Sequence, residues 1–460
     1  MRSTLSTFNE VWQRQFRSYC LTQIASFSKE ARFLIGCSGG MDSMLLLFLL
    51  SEIYPDRIRA IYVNHQLQQP STAWGELVQT FCQTINVECV VQAVDVNRGN
   101  LENQARNARY QAFNQHLRED EILVLAHHQQ DLTETMLLRL LSGTGVKGLA
   151  AMQAYEERAD LKLWRPLLGL TREQIGQWVE QLQLPYVDDP SNFDQHYDRA
   201  WCRGQLWPML QQRYPQMQSA LARCSELMHD ADQILQEVLL EDWQHCGDSE
   251  HLNIEKLQHL SIPRQRQLLS AWMKGQQTYR PALQMIKRLQ QEVILAKSDA
   301  QAALHCNGHY YVRYQTEIYR LEQQEYLASK QSNMQNTSVL KVELAQKLLL
   351  ASGQFQIQNT TVGLHPKLLQ QNLCLQARQG GEKVHLYGRI GRWPLKKAIQ
   401  EAHIFPWQRH TIQILSIDNV MLGVFTPKGF WLSQSEYCEA GGWVPQLIPS
   451  HSKIYVERDL

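Results

Sequence analysis

Short apolar runs alternate with stretches of helical spacing from Ala31 onward. The runs are FLIGCS from Phe33, IRAIYV from Ile58, ECVVQAV from Glu88 and EILVLAH from Glu121. Helical stretches begin at Asp42, run from near Ala73 to Ile85, and run from Leu101 to Leu117. Strands that are apolar throughout are buried on both faces, and their alternation with helices predicts a parallel sheet under covering helices. A fifth strand pattern ends at Arg165-Pro166-Leu167-Leu168. After DDPSN, near Asp188, the segment QMQSALARCSELMHDADQILQEVLLEDW keeps helical spacing with no strand in it, and HYYVRYQTEIYRL alternates as a small hairpin would. Ser329 to Ser338 is polar and reads as a linker. The predicted organisation is an α/β domain over 1–215, a mainly helical domain over 216–328, a linker at 329–340 and a small α+β domain over 341–460.

Composition narrows the class. The chain has 460 residues, 44% hydrophobic and 20% charged, which excludes a disordered or collagen-like chain. Lys plus Arg and Asp plus Glu are each 45, so any site for a polyanion must be local. None of the ten cysteines has C-x-x-C or zinc-like spacing. The longest apolar run, Met44 to Leu50, is too short for a bilayer, which takes about 20 residues, and the N-terminus lacks an apolar signal core. No membrane association and a cytoplasmic location are therefore expected.

In open parallel sheets, ligands bind beyond the carboxyl ends of the strands, which draws attention to two segments. The first is Ser38-Gly39-Gly40-Met41-Asp42-Ser43, between a strand and a helix. Its glycines let backbone approach an anion, the first helical N–H groups favour phosphate, Ser38 and Ser43 add hydroxyls, and Asp42 is placed to reach a magnesium ion on the phosphates. The second is AHHQQDLTET, where Asp131 and Glu134 are three apart and share a helix face. Two such carboxylates suit a metal, a cationic substrate or a proton from an attacking amine; they equally suit the start of a helix, where acids are favoured. His127 and His128 taken singly read as packing or hydrogen-bonding residues.

The hexapeptide, with its flanking strand and helix, resembles the pyrophosphate loop of the ATP-pyrophosphatase (PP-loop) superfamily, whose members adenylate a substrate oxygen. The ordered series SGGMDS, VNHQL, LENQARNARY, AHHQQDLTET, LLRLLSGTGVKGLAAM, RPLL and DDPSN is similar to the bacterial tRNA(Ile)-lysidine synthetases over nearly all of the first 215 residues. The segment ARQGGEKVHLYGRIGRWPLKKAIQEAHIFPWQRH resembles the long form of that family. The resemblance implies a HUP-like ATP-binding catalytic domain, a substrate-tRNA-binding domain and a C-terminal tRNA-binding domain. It implies a ligase forming a carbon–nitrogen bond: ATP adenylates the 2-oxygen of the wobble cytidine in the isoleucine tRNA with a CAU anticodon, and the ε-amine of free L-lysine then displaces AMP. A homodimer is left open.

Residue by residue, the resemblance places ATP on Ser38, Gly39, Gly40, Met41, Asp42 and Ser43, and magnesium on Asp42 and Asp131. It gives catalytic parts to Asp42, Asp131, Glu134, Arg106 and Arg109, the two arginines lying near ATP and the target base. For Glu102 and Arg106 a plain i, i+4 salt bridge is the competing reading. Substrate or tRNA contacts fall on His128, Arg165, Asp189, Asn192, Arg199 and Arg203, with Gly143, Gly145, Gly148 and Lys147 in a loop near the tRNA and His65 as a further candidate. Gln130 and Leu132 depart from the family pattern, which commonly has paired aspartates followed by Gln. In the C-terminal basic segment, Arg378, Lys383, Lys396 and Lys397, with Trp393 and Trp407 interleaved, are the expected phosphate-contacting patch. The competing readings are a tRNA thiolase of the same superfamily, disfavoured by the missing C-x-x-C; a GMP synthetase-like amidotransferase, disfavoured by the missing glutaminase segment; and a noncatalytic tRNA-binding protein with a nucleotide pocket.

Overall fold

The computed structural model describes residues 7–449 apart from 29, 67–69, 96–100, 159–160, 190–193, 195, 278–279, 298–301 and 332–336. Two compact units divide these residues, the first ending at Glu237 and the second beginning at Val238.

The first unit opens with α1 (Val11–Ser26) and is built on β1 (Arg32–Gly36), α2 (Met41–Ile53), β2 (Ile58–Asn64), α3 (Ser71–Thr84), β3 (Glu88–Ala93), α4 (Leu101–His116) and β4 (Glu121–Leu125). There follow α5 (Gln129–Leu141), α6 (Val146–Leu149), β5 (Tyr155–Arg158), β6 (Leu161–Trp164), α7 (Arg172–Leu182), α8 (Asp198–Trp201) and α9 (Trp207–Arg213). The sheet runs β3-β2-β1-β4-β6-β5, parallel except that β5 is antiparallel to β6. The expected strands are all present, and β5 is an edge strand that the fifth strand pattern did not reveal.

Alternate residues of β1 explain why the strands read as apolar throughout. Phe33 and Ile35 pack with Leu46, Leu50 and Trp164, whereas Leu34 joins Ile61, Phe113 and Leu123 in a separate core cluster. Chain order reverses between β1 and β4, so the crevice beyond their carboxyl ends is the topological switch point. Toward the amino ends, Arg59 of β2 reaches across β1 to Glu121 of β4, donating from Nε to Oε1 at 2.8 Å and from Nη2 to Oε2 at 2.7 Å.

The helix α10 (Met217–Cys246) is amphipathic, as its spacing predicts, and its later residues Leu239 and Cys246 belong to the core of the second unit. That core holds α11 (Ile254–His259), α12 (Ile262–Lys274) and α13 (Leu283–Arg288) against an antiparallel sheet ordered β7 (His251–Asn253), β10 (Glu317–Glu322), β9 (His309–Tyr314), β8 (Ala303–Cys306). The predicted hairpin is thus half of a four-stranded sheet, because β7 is too short to register as an alternating run. Beyond the polar stretch, part of which lies outside the described residues, two larger antiparallel sheets form, beside a two-stranded pairing of Lys383–Val384 with Trp393–Pro394. One takes Thr337–Leu340, Leu373–Ala377, Gln413–Ile417, Val420–Thr426 and Gly429–Leu432 in spatial order. The other is centred on Gly353–Leu364.

Candidate active site

The SGGMDS loop leaves β1 and becomes the first turn of α2, whose N-cap is Gly40. Gly39 has φ +83°, and a Cβ there would lie 3.3 Å from Val187 and 3.4 Å from Val78, so both conformation and space call for glycine. Ser43 donates to Gly40 O at 2.9 Å and accepts from Ser38 N at 3.2 Å, folding the hexapeptide back on itself. Val187 N donates to Gly39 O at 3.0 Å, so the strand-like stretch before DDPSN lies against the loop. The first N–H groups of α2 have no acceptor within the helix and are available to phosphate oxygens.

The second segment caps α5 with its own side chains. His128 Nδ1 accepts from Gln130 N at 3.2 Å, and Asp131 accepts from His128 N at 3.0 Å. A ring nitrogen that accepts from an amide leaves the proton on the other nitrogen, so His128 presents Nε2–H. That nitrogen lies 3.7 Å from Asp42 Oδ2 and 3.5 Å from Asp131 Oδ2, joining the two loops. His128 is therefore a linker between carboxylates, a role that reading it singly did not reveal. Asp131 thus caps α5 and also lies beside the His128 ring that faces Asp42.

Burial raises the Asp42 carboxyl above its ordinary range, and its Oδ1 has no hydrogen-bond partner among the described residues. Burial also pushes Asp131 up, but the His128 and His127 rings, the His128 N–H and Arg199 outweigh it and hold Asp131 low. His127 is kept neutral by burial, its pKa lowered to about 3. A hard cation held by one or two carboxylates plus phosphate oxygens is what Asp42 and Asp131 fit. Among the described residues no group of three or more His, Cys, Asp or Glu forms a self-sufficient metal site.

Glu134 stands apart from these two. It is fully buried and receives two hydrogen bonds from Arg203, Nε to Oε1 at 2.8 Å and Nη2 to Oε2 at 2.9 Å, plus one from Gln130 Nε2 at 2.9 Å. Arg203, a candidate for tRNA phosphates, sits on a π-helical turn, Cys202–Leu206, and is directed at α5. Arg199 likewise turns inward, donating to Thr135 Oγ1 at 3.2 Å. Gln130, one of the departures from the family pattern, spends its amide on Glu134.

Arg106 and Arg109 lie on α4, with Arg106 over the Tyr110 ring at 5.1 Å. Burial lowers the Arg109 guanidinium from its ordinary value, and the Arg106 and Arg199 charges add to this, so three cations gather near the strand ends. The imidazole of His65, just after β2, has its pKa lowered by burial and then by the Arg109 charge, and its Nδ1 has no partner among the described residues. Arg165 is 2% exposed and donates to Glu156 Oε1 and Gln153 O, both at 2.7 Å, and to His127 Nδ1 at 3.3 Å. It is enclosed and holds His127 from behind. Asp189 is half-buried near Tyr62, whose hydroxyl it pushes up after burial does. Asn192 and the side chain of Glu102 lie outside the described residues. Arg139 donates to Gly148 O at 3.0 Å and Ala151 O at 2.9 Å, which pins the glycine-containing loop.

Beside this centre is an open cavity of about 440 Å³ whose lining includes Met41, Gln130, Arg172, Glu173, Tyr186 and Asp188. The last four were missed in the sequence. The signal was the capping box Thr171–Gln174, which starts α7 at Arg172.

In the second unit, Lys383, Lys396 and Lys397 are exposed as expected. Arg378 is largely covered and faces Glu382 at 3.7 Å. Trp407 is buried, stacked on Phe405 with centroids 4.8 Å apart, so only Trp393 remains at the surface of the basic segment.

Comparison with known proteins agrees with this arrangement. Residues 10–210 match the PP-loop domain, 252–319 the TilS substrate binding domain and 373–443 the TilS substrate C-terminal domain. A tRNA(Ile)-lysidine synthase of Acinetobacter baylyi (strain ATCC 33305 / BD413 / ADP1) is 60% identical over 459 residues, covering 100% of both chains. One of Shigella flexneri is 34% identical over 405 residues, covering 86% of this chain and 92% of its own. The structure of the U34-tRNA thiolase NcsA from Methanococcus maripaludis aligns at a TM-score of 0.40 and 18% identity, over 47% of this chain and 78% of its own, too loosely to bear on function. With three domains matched in order and a relative identical at three positions in five from end to end, the chain belongs to the tRNA(Ile)-lysidine synthase family.

Proposed function

We propose that the chain ligates L-lysine to carbon 2 of the wobble cytidine in the CAU-anticodon isoleucine tRNA, consuming ATP and releasing AMP and pyrophosphate. The observation that carries the reading is the SGGMDS loop at the switch point, with Asp42 joined through His128 to Asp131. Family membership supplies the acceptor and the amine.

In the first step the cytosine 2-oxygen attacks the α-phosphorus and the bond to pyrophosphate breaks. The loop backbone, the Ser38 hydroxyl and the α2 amino end hold the leaving pyrophosphate. Arg106 and Arg109 face the charge developing on phosphate and base. Magnesium, when bound by Asp42 and Asp131, neutralises phosphate charge. In the second step the lysine ε-ammonium, attracted by Asp42 and Asp131, passes a proton to the Asp131 carboxylate, the freed amine attacks carbon 2, and AMP leaves with the oxygen. Glu134, committed to Arg203 and Gln130, positions α5 rather than the amine. The reading takes the protein as cytoplasmic, and as a monomer or homodimer; among the described residues no helix is long and apolar enough to cross a membrane. The domain limits 1–215, 216–328 and 341–460 remain part of the proposal, with tRNA contacts by the later two.

The test is transfer of radiolabelled lysine to the isoleucine tRNA transcript, with AMP and pyrophosphate release followed in parallel. Transfer to that tRNA and not to the methionine tRNA is expected. Pyrophosphate release without transfer would replace lysine with another acceptor, sulfur first.

A further inference from the structure

The reaction as derived above leaves His127 without a task, although it stands level with the phosphate loop. Gly36 pairs with Leu125 at the carboxyl ends of β1 and β4, and two residues beyond that pair the chain reaches Ser38 on one side and His127 on the other. Neighbouring strands lie about 4.8 Å apart, so the two residues leave the sheet side by side. The tautomer of the ring is fixed. A guanidinium can only donate, so the hydrogen bond from Arg165 Nε, 3.3 Å away, makes His127 Nδ1 an acceptor and puts the proton on Nε2. Arg165 is itself held, being enclosed and donating to Glu156 Oε1 and Gln153 O, both at 2.7 Å. The resulting Nε2–H has no acceptor among the described residues, and the ring keeps part of its surface open. His128 differs, because its Nε2 already lies between Asp42 and Asp131.

The surrounding charges decide which ligand such a donor suits. Asp131 bears on the ring, and against it Arg165, Arg109 and Arg199. Once Asp131 is engaged by a cation, that surrounding is positive; it repels an ammonium and attracts a phosphate oxygen. We infer that His127 is a catalytic residue of the adenylation step, donating its Nε2–H to a non-bridging oxygen of the ATP α-phosphate. The inference rests on the adenylation half of the ligase reading above and adds a group that meets the reacting phosphorus itself. As the cytosine 2-oxygen bonds to that phosphorus and the bond to pyrophosphate breaks, charge builds on the non-bridging oxygens. A neutral donor held in advance stabilises that charge without reorganising, and the ring keeps its proton throughout.

The experiment follows single-turnover pyrophosphate release by the full-length protein with the isoleucine tRNA transcript, for the wild type, His127→Met and His127→Gln. The nucleotides are ATP and the two diastereomers of ATPαS, in which sulfur replaces one non-bridging α-oxygen. His127→Met is expected to slow release from ATP about 100-fold, with a much smaller change in ATP affinity. His127→Gln, whose amide keeps an N–H, should recover part of the rate. Sulfur is a weak hydrogen-bond acceptor, so the wild type should favour one diastereomer and His127→Met should narrow that preference. A merely structural role would slow both diastereomers alike, and the ratio is read on whatever fraction of the variant is folded. Release by His127→Met within about threefold of wild type would overturn the inference. So would a diastereomer preference that is absent from the wild type or unchanged in His127→Met, and so would a loss confined to the lysine KM. Failure of the ligase reading is distinct: wild-type pyrophosphate release without lysine transfer sinks the acceptor and leaves the His127 comparison intact.

Discussion

Asp42 and Glu134 look alike in the sequence and behave as opposites in the structure. The Asp42 carboxyl is raised by burial and has an oxygen without a partner among the described residues, so its ionised form is a cost to the free protein that a cation or ligand relieves. Asp42→Asn is expected to lower pyrophosphate release about 100-fold or more while the unfolding midpoint in denaturant stays level or rises. A lowered midpoint would mean that Asp42 serves the fold. Glu134 is the reverse case: removing its charge leaves Arg203 facing a buried amide. Glu134→Gln should destabilise by about 3 kcal/mol, read from the same denaturant curves, with activity falling through the displaced α5. Retained stability with abolished ligation would return Glu134 to the chemistry. The pairing that separates these two acids is invisible in AHHQQDLTET, because Arg203 arrives from 69 positions further along the chain.

At the level of elements, the sheet is tied at its amino ends and open at its carboxyl ends. Arg59 and Glu121 link β2 to β4 over β1, both side chains under 10% exposed. Burial pushes Glu121 up, but hydrogen bonds from Arg59 and from Arg118 N, with their charges, bring it below its ordinary value. A carboxyl lowered in the folded state adds stability that is complete above its unfolded pKa, about 4.3, and is lost as pH falls through the folded value. Glu121→Gln is therefore expected to cost about 3–5 kcal/mol at pH 7, with the gap to wild type closing below about pH 4. A gap that stayed constant from pH 7 to pH 3 would remove the ion pair from the account. Because this tie is remote from the SGGMDS loop, the variant's remaining folded fraction should adenylate normally. The helical cap at His128 was legible as an acidic helix start, but its bridge to Asp42 was not: it needs β1 and β4 adjacent, and they are separated in sequence by two strands and three helices.

Over the whole molecule, charge is balanced and its placement decides what the surfaces do. The second unit presents Lys383, Lys396 and Lys397 to solvent, whereas Arg378 and Trp407 are drawn into its own packing. Reversing the three lysines to glutamate should weaken tRNA binding and flatten its dependence on salt by about one unit of slope per lost phosphate contact, measured by filter binding from 50 to 200 mM salt. An unchanged slope would move tRNA contact off this segment. The sequence alone determined the α/β class, the strand order of appearance, the phosphate loop and the family, because periodicity, glycine placement and ordered motifs are local properties that the chain states directly. Only the tertiary structure decided which charges are spent inside and which face a ligand. Arg199 and Arg203 read as basic residues for an RNA, yet each is turned to a partner brought near by folding, and Arg172, unremarked in the chain, lines the open cavity beside the loop. Ion pairing depends on distance in space, and spacing along a chain does not fix that distance beyond a turn or two of helix.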